Sequence, residues 1–315
     1  MKIAINRRIV VGPYGGGNQI LRMITEYFSS RNIIITNSLD YNIDAVFLFD
    51  FRRDHGTFDW VDVKKSGLNV PIIARINDNG QHRGDNRDLE VVDMSKEINP
   101  IFIFISNWAK NHFRNNCGIL IENSHVIYNA VERDLFYANG HFRKSGEKLR
   151  IVTHHWSNNM AKGYNIYSHI ASLCELDSRF SFRFLGNLPN SVLLKGGEVI
   201  PAQNYCDIPN FLNDRDVYLS ASKFESGGSH VVEGMGCGLI PLVIFGGGGT
   251  EDYSKGYGFN FYNEHDLSDL LISLYSNYEL YCEYKKRIDQ YTYSSEDMCR
   301  LYYNVITKEV FNGCV

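Results

Sequence analysis

Glu225 and Glu233 stand in Phe224-Glu225-Ser226-Gly227-Gly228-Ser229-His230-Val231-Val232-Glu233-Gly234-Met235, with seven residues between the two carboxylates. The Ser-Gly-Gly-Ser insert suits a turn that feeds a helix start, with Ser229 as its N-cap. Glu225 then stands on the loop and Glu233 on the second turn of the helix. The first N–H groups of a helix have no partner inside it, and its N-terminus carries positive dipole charge, so such an end attracts phosphate. Two hydroxyl-binding carboxylates flanking an anion site match the layout of a nucleotide-sugar: sugar hydroxyls, a diphosphate, then ribose hydroxyls. Gly227, Gly228, Ser229 and His230 fall at the anion position. Two unrelated surface glutamates beside a glycine turn would show the same spacing. The small-residue insert and the tail Gly236-Cys237-Gly238-Leu239-Ile240-Pro241-Leu242-Val243 count against that plainer reading.

This stretch resembles the Glu-x7-Glu motif of retaining glycosyltransferases with the GT-B fold, in particular family 4, and the tail is similar to that family's "A-C-G-x-P-V-V" with one extra residue before the proline. The resemblance gives Glu225 the donor sugar and Glu233 the ribose. It continues at Lys162-Gly163, where the family has "G-R-x-x-x-x-K-G" and its lysine contacts the donor diphosphate. The family's arginine is missing: Ser157 or Trp156 stands at its place, with His154 and His155 nearby as partial substitutes. Val126-Ile127-Tyr128-Asn129-Ala130-Val131-Glu132-Arg133-Asp134-Leu135-Phe136 resembles "V-I-x-N-G-V-D-x-x-x-F". Ile76-Asn77-Asp78 resembles a strand end that carries "His-Asp" near the reacting sugar; Asn77 replaces the histidine, Asp78 is kept, and His82 is close by. As an ordinary polar loop capping a strand, this segment is equally well explained.

These side chains need two scaffolds. Lys2–Asn6, then Gly12-Pro13-Tyr14-Gly15-Gly16-Gly17, then a helical pattern over 20–28, form a strand, glycine loop and helix, the opening of a Rossmann-type unit. Gly16 and Gly17 are candidates for facing the donor phosphates; a tight turn is the alternative. Short apolar runs at 45–49, 70–74, 101–105 and 124–128 alternate with helical or polar stretches, which argues a parallel sheet covered on both faces. The pattern breaks over 136–148, read as a linker. A second alternation starts at Leu149, with strands at 181–185, 217–219 and 240–245, and helices at 165–174, 208–212, 229–236 and 266–275. The last helices are expected at 283–290 and 296–310. The expected domains are 1–145 for the acceptor, 146–290 for the nucleotide-sugar, and 291–315 as a helix that, on the resemblance, returns to the first domain. The fold class is α/β, a GT-B pair of Rossmann-like domains facing across a cleft.

Composition sets outer bounds. The 315 residues hold 44% hydrophobic and 22% charged side chains, with a net charge of −4, which gives no electrostatic support to nucleic-acid binding. Residues 1–150 carry 20 Lys/Arg against 17 Asp/Glu. That surplus admits peripheral contact of the N-terminal domain with an anionic membrane face, although a solvated surface explains it as well. Seven cysteines are scattered with no Cys-x-x-Cys pair, as in a reduced cytoplasmic protein. No apolar run reaches the length of a membrane span, and charge interrupts the N-terminus too early for a signal peptide.

The resemblance covers nearly the whole chain in order. It implies a retaining hexosyltransferase that takes a UDP- or GDP-linked sugar as substrate, needs no cofactor, and passes the sugar to a glycan or lipid-linked acceptor, as in polysaccharide biosynthesis. No Asp-x-Asp or His/carboxylate cluster with ligand spacing is evident, so transfer is expected to need no metal, with Lys162 and the helix start supplying the charge stabilisation. Two other classes stay open. A nucleotide-sugar epimerase shares the double-Rossmann plan. An NAD-dependent oxidoreductase meets a failed glycine fingerprint, since position 20 is Ile, although Asp40 lies at a suitable distance for a ribose acid. A non-catalytic relative that only binds the donor is a third.

Overall fold

The computed structural model describes residues 1–12, 15–53, 56–119 and 122–312. The chain forms two compact units: Met1–Val11, Gly17–Asn129 and Ser295–Val315 make the first, and Gly12–Gly16 with Ala130–Ser294 the second.

The first unit is built on six parallel strands in the order β2-β1-β3-β4-β5-β6, where β1 is Lys2–Ile5, β2 Ile34–Thr36, β3 Ala45–Leu48, β4 Ile72–Ile76, β5 Ile101–Phe104 and β6 Ser124–Val126. The central strands Ala-Val-Phe-Leu and Ile-Phe-Ile-Phe are buried at every position. That follows from helices covering both faces of a parallel sheet, and explains their unbroken apolar runs. On one face Val46, Leu48, Ala74, Ile76, Phe102 and Phe104 pack against Val91, Met94, Ala109 and Phe113 of the following helices. On the other, the C-terminal helix Ser295–Asn312 returns to this sheet. Its Tyr302 is fully buried, accepts a hydrogen bond from Nε of Arg75 at 3.1 Å, and packs its ring 5.8 Å from that of Phe47.

The second unit repeats the plan. Its strands are β7 (Leu149–His155), β8 (Phe180–Gly186), β9 (Glu198–Ile200), β10 (Val217–Ser220), β11 (Ile240–Ile244) and β12 (Phe259–Phe261), all parallel, in the order β12-β11-β10-β7-β8-β9. The chain moves outward from β7 to β8 and β9, then crosses to β10 on the other side. The switch point therefore lies between β7 and β10, and open α/β sheets bind ligands at the carboxyl ends of such a pair.

Two expectations shift. Residues 136–148 are not a free linker, and the change of unit falls at Asn129–Ala130. The reason is packing: the Phe136 ring packs tilted against that of Tyr205, with centroids 5.0 Å apart, and the guanidinium of Arg143 is buried over the ring of Tyr281 at 4.7 Å, donating to the carbonyls of Leu274 and Glu147. The second change falls at Ser294–Ser295, just beyond 290–291.

Candidate active site

In the second unit the carboxyl ends of β7, β10 and β11 bring the sequence candidates together. Lys162 lies on a short 3-10 turn, Met160–Lys162, closed at its start by the Asn159 side chain, which accepts from the N–H of Ala161 at 3.0 Å. Gly163 follows with φ +79, and a Cβ there would stand 2.3 Å from the carbonyl of Ala221, so only glycine lets this turn lie against the end of β10. The Lys162 ammonium is ion-paired with Glu225, and both are buried.

Glu225 is held by its backbone. Phe224 before it has φ +58, a left-handed conformation that costs a bulky residue energy and persists where surrounding structure imposes it. Glu225 N–H donates to the carbonyl of Gly247, and its own carbonyl accepts from Gly249 at 2.7 Å. A Cβ at Gly248, where φ is +80, would lie 2.5 Å from the Glu225 carbonyl oxygen. The glycine run after β11 is thus a rail that the Glu225 backbone lies against.

The helix Ser229–Gly236 starts as expected but is capped differently. Ser229 is its first residue; Gly228 is the N-cap and supplies no side-chain cap, and its carbonyl accepts from the N–H groups of Val231 and Val232. Gly228 is required by crowding: a Cβ there would meet Cγ2 of Thr250 at 2.6 Å. Gly227 lies in the loop between Glu225 and this helix start. Gly16, which groups with this unit, would carry a Cβ 2.8 Å from that of Ser229, whereas Gly17 belongs to the first unit.

Glu233 is anchored by a partner that its sequence context does not reveal. Its Oε2 lies 2.5 Å from Nε2 of His154 at the end of β7, and Nδ1 of His154 lies 2.9 Å from the hydroxyl of Tyr218 on β10. Every atom in this row is satisfied when the imidazole proton sits on Nε2: it donates to Glu233, while Nδ1 accepts from Tyr218. Burial holds the Tyr218 phenol well above its ordinary value, with the charges of Tyr167 and Glu233 adding, so its proton stays available. Gly234 admits this packing, since a Cβ there would meet the Tyr218 ring at 2.3 Å. Oε1 of Glu233 has no hydrogen bond among the described residues. Two sequence signals bear on the pair: His154 is the last residue but one of a strand that reaches the site, and Glu233 sits one turn into the helix facing it.

The histidines near the place of the missing arginine each have partners within the second unit. His154 is engaged on both ring nitrogens. His155 is buried with Nε2 2.5 Å from the Tyr167 hydroxyl and 3.3 Å from Oγ1 of Thr153, so that nitrogen serves the interior. His230 lies between them and Ser220, with Nε2 3.0 Å from Ser220 Oγ and its ring 4.8 Å from that of His155.

Asp78 belongs to the first unit and is braced by arginine: Oδ2 accepts from Arg83 at 2.8 Å and Arg87 at 3.1 Å, and Oδ1 from the N–H of Asn79. Asp40 is taken by the Lys2 ammonium at 2.9 Å. One trio of metal-ligating side chains meets among the described residues, Asp88, His112 and Cys117. The sequence spacing does not show it. Here Asp88 already bonds His112 at 2.8 Å and Gly80 N–H at 2.7 Å, Asn116 takes the other imidazole nitrogen, and burial, with Asp88 adding, pushes the thiol up to about 11.

Residues 191–294 match the family model described as Glycosyl transferases group 1. That stretch holds both glutamates but neither Lys162 nor His154. No curated protein matches the chain in sequence. Among solved structures, sucrose-phosphate synthase from Thermosynechococcus elongatus superposes with a TM-score of 0.75 at 10% identity, over 99% of each chain. HepE of Anabaena, in complex with UDP-glucose, gives 0.71 at 13%, covering 98% of this chain and 99% of that one. WaaG, a glycosyltransferase involved in lipopolysaccharide biosynthesis, gives 0.68 at 11%, covering 98% and 100%. Identities this low establish the fold, which is GT-B. The glycosyltransferase match is confined to residues 191–294, within the second unit, while the likeness in fold spans nearly the whole chain. Among the described residues no helix is long and apolar enough to cross a membrane.

Proposed function

We propose that the chain is a retaining, family 4-like transferase that moves a hexose from a UDP- or GDP-linked donor to a glycan or lipid-linked acceptor without a metal ion. The observation that carries this reading is the pair of anchored carboxylates, Glu225 on Lys162 and Glu233 on His154, on either side of the start of the helix Ser229–Gly236. A UDP donor is favoured by the neighbours, since HepE is described with UDP-glucose.

On this reading Glu233 takes the ribose hydroxyls through its open oxygen, and the helix N–H groups take the diphosphate. Lys162 turns from Glu225 to the leaving diphosphate, whose negative charge grows as the anomeric C–O bond breaks. Glu225, released by the lysine, accepts from hydroxyls of the sugar. In the family's front-face mechanism the acceptor oxygen bonds to the anomeric carbon on the face the diphosphate leaves, and the acceptor proton passes to the departing phosphate oxygen. The sugar's configuration is retained.

A thermal-shift screen of UDP, GDP and their sugars tests the donor, because a ligand of the folded state stabilises it by mass action. Glu233→Ala should weaken the free nucleotide roughly ten- to hundredfold, the value of one charged hydrogen bond. Glu225→Ala should leave nucleotide affinity near wild type and lower turnover, measured in excess EDTA throughout. No stabilisation by any nucleotide, or wild-type turnover in both variants, defeats the proposal.

A further inference from the structure

The first unit has its own switch point. Its order β2-β1-β3-β4-β5-β6 runs from β1 outward to β2, then back across to β3, so the crevice at the carboxyl ends of β1 and β3 is where a sheet of this kind takes a ligand. The residues that follow those strands are arginines on buried acids. Arg7 comes after β1, Asp50 and Arg52 after β3, and Asp78, Arg83 and Arg87 after β4.

The arrangement is layered. Asp50 and Asp78 expose 0% and 8% of their side chains, while Arg7, Arg52, Arg83 and Arg87 expose 24%, 13%, 36% and 18%. Asp50 accepts from Arg7 at 2.7 Å and from Nε of Arg52 at 2.7 Å; Asp78 accepts from Arg83 and Arg87, with Arg52 at 3.6 Å. The carboxylates fix the guanidiniums: Asp50 takes the paired N–H edge of Arg52 and Asp85 that of Arg87, while Arg7 and Arg83 are each held through one nitrogen and keep N–H groups to offer. Crowding leaves a mark: the Arg7 guanidinium is held below its ordinary value by burial and by the charges of Arg52 and Arg75, against the pull of Asp50. Asp85, at the rim, is occupied by Arg87. The start of the 14-residue helix Gly16–Ser29 adjoins the same spot, since a Cβ on Gly17 would meet only Arg7, at 4.0 Å.

We propose that this crevice binds an oxyanion, a phosphate or carboxylate, and that it belongs to the acceptor. The second clause rests on the proposed transferase reading. Guanidinium is the side chain suited to holding such a group, because it stays charged and presents paired N–H groups that match the oxygens of either anion. Arg7 and Arg83, held on buried acids with N–H groups to spare and with Arg52 and Arg87 locked beside them, make a preformed socket, not a set of surface ion pairs. Next to it Ile9, Val10 and Val11 are exposed, and the Asn18 side chain pins Val10 through both its N–H and its carbonyl, at 2.9 and 2.8 Å. A fixed apolar edge beside a cationic socket favours a phosphate carried on a lipid over an acidic glycan.

The intact protein is saturated with UDP, so that the nucleotide site is filled, and titrated calorimetrically with decyl phosphate, an oligogalacturonate, decyl glucoside and maltotriose. Decyl phosphate should bind, more weakly at high salt, and the two neutral probes should not. Binding of the oligogalacturonate in its place would keep the oxyanion site and assign an acidic glycan. Arg83→Ala, the most exposed of the four and the safest to fold, should weaken the anionic probe about tenfold or more and leave UDP affinity unchanged. Arg52→Ala should do the same. Anionic probes that bind no better than neutral ones overturn the proposal. So does an Arg83→Ala protein that loses UDP and the probe together, because the cluster would then serve the donor. Wild-type protein that takes the anionic probe but no nucleotide would instead overturn the transferase reading while the oxyanion site stands.

Discussion

At the residue scale, Lys162 and Glu225 are a buried ion pair, and such pairs are asymmetric in their energetics. Removing one partner strands a charge out of water and costs about 3–5 kcal/mol; replacing both costs far less. Lys162→Met and Glu225→Leu alone should each lower the unfolding free energy by about that amount, and the double variant should recover most of it, as read by urea denaturation. Turnover should behave differently and stay lost in the double variant, since the leaving diphosphate has lost its cation whether or not the fold is restored. Recovery of turnover along with stability would make the pair a structural brace only. The carboxylates and the lysine are legible from spacing and residue type. Their anchors are less so. His154 reads in the sequence as a partial substitute cation because it stands near the place of a missing arginine. Only the register of β7 beside β10 shows that its imidazole faces Glu233 and Tyr218.

At the element scale, the glycine run after β11 decides where Glu225 stands. Four consecutive glycines read more readily as a flexible loop than as a close backbone approach, because their sequence does not say which of them meets another backbone. Gly246 and Gly248 both have positive φ, at +81 and +80, but nothing lies within 4 Å of a Cβ at Gly246, while at Gly248 the Glu225 carbonyl is 2.5 Å away. Gly246→Ala should cost about 1 kcal/mol, the left-handed strain alone. Gly248→Ala should cost clearly more and displace Glu225, with turnover falling further than stability explains. Equal effects of the two substitutions, in denaturation and turnover alike, would mean that the rail does not position Glu225. The elements that the sequence hides share one cause. β2, β9 and β12 are three-residue edge strands with exposed positions, so they carry neither an unbroken apolar run nor a clean alternation. Ser229 reads as a cap because serine caps many helices; crowding against Thr250 gives that position to Gly228 instead.

At the scale of the whole molecule, the two units have separate cores, and the alternation of short apolar runs with helical stretches is enough to find both sheets. The change of unit is harder to place, because Arg143 is charged and yet buried under tyrosines. Separate cores predict separable responses. UDP should raise the melting temperature of one calorimetric transition, by about 2.7 kcal/mol of stabilisation at a hundredfold excess over its Kd. Tyr302→Ala should lower the other, by about 3–5 kcal/mol, because it empties a fully buried ring site and leaves Arg75 a partner short. A single transition that moves with both would mean the units unfold as one.

The return of the helix Ser295–Asn312 to the first sheet also sets the order in which the molecule can be made. During synthesis the strands of the first unit precede the second unit, yet the face of its sheet that Tyr302 covers stays bare until the helix Ser295–Asn312 leaves the ribosome. The second unit is contiguous from Ala130 to Ser294 apart from Gly12–Gly16, so it can close before the older one is finished. At about 5–20 residues per second the wait is roughly ten to thirty seconds. Throughout it, Phe47 and Arg75 lack their cover, and the nascent chain offers an open apolar surface to chaperones or to its neighbours on the same message.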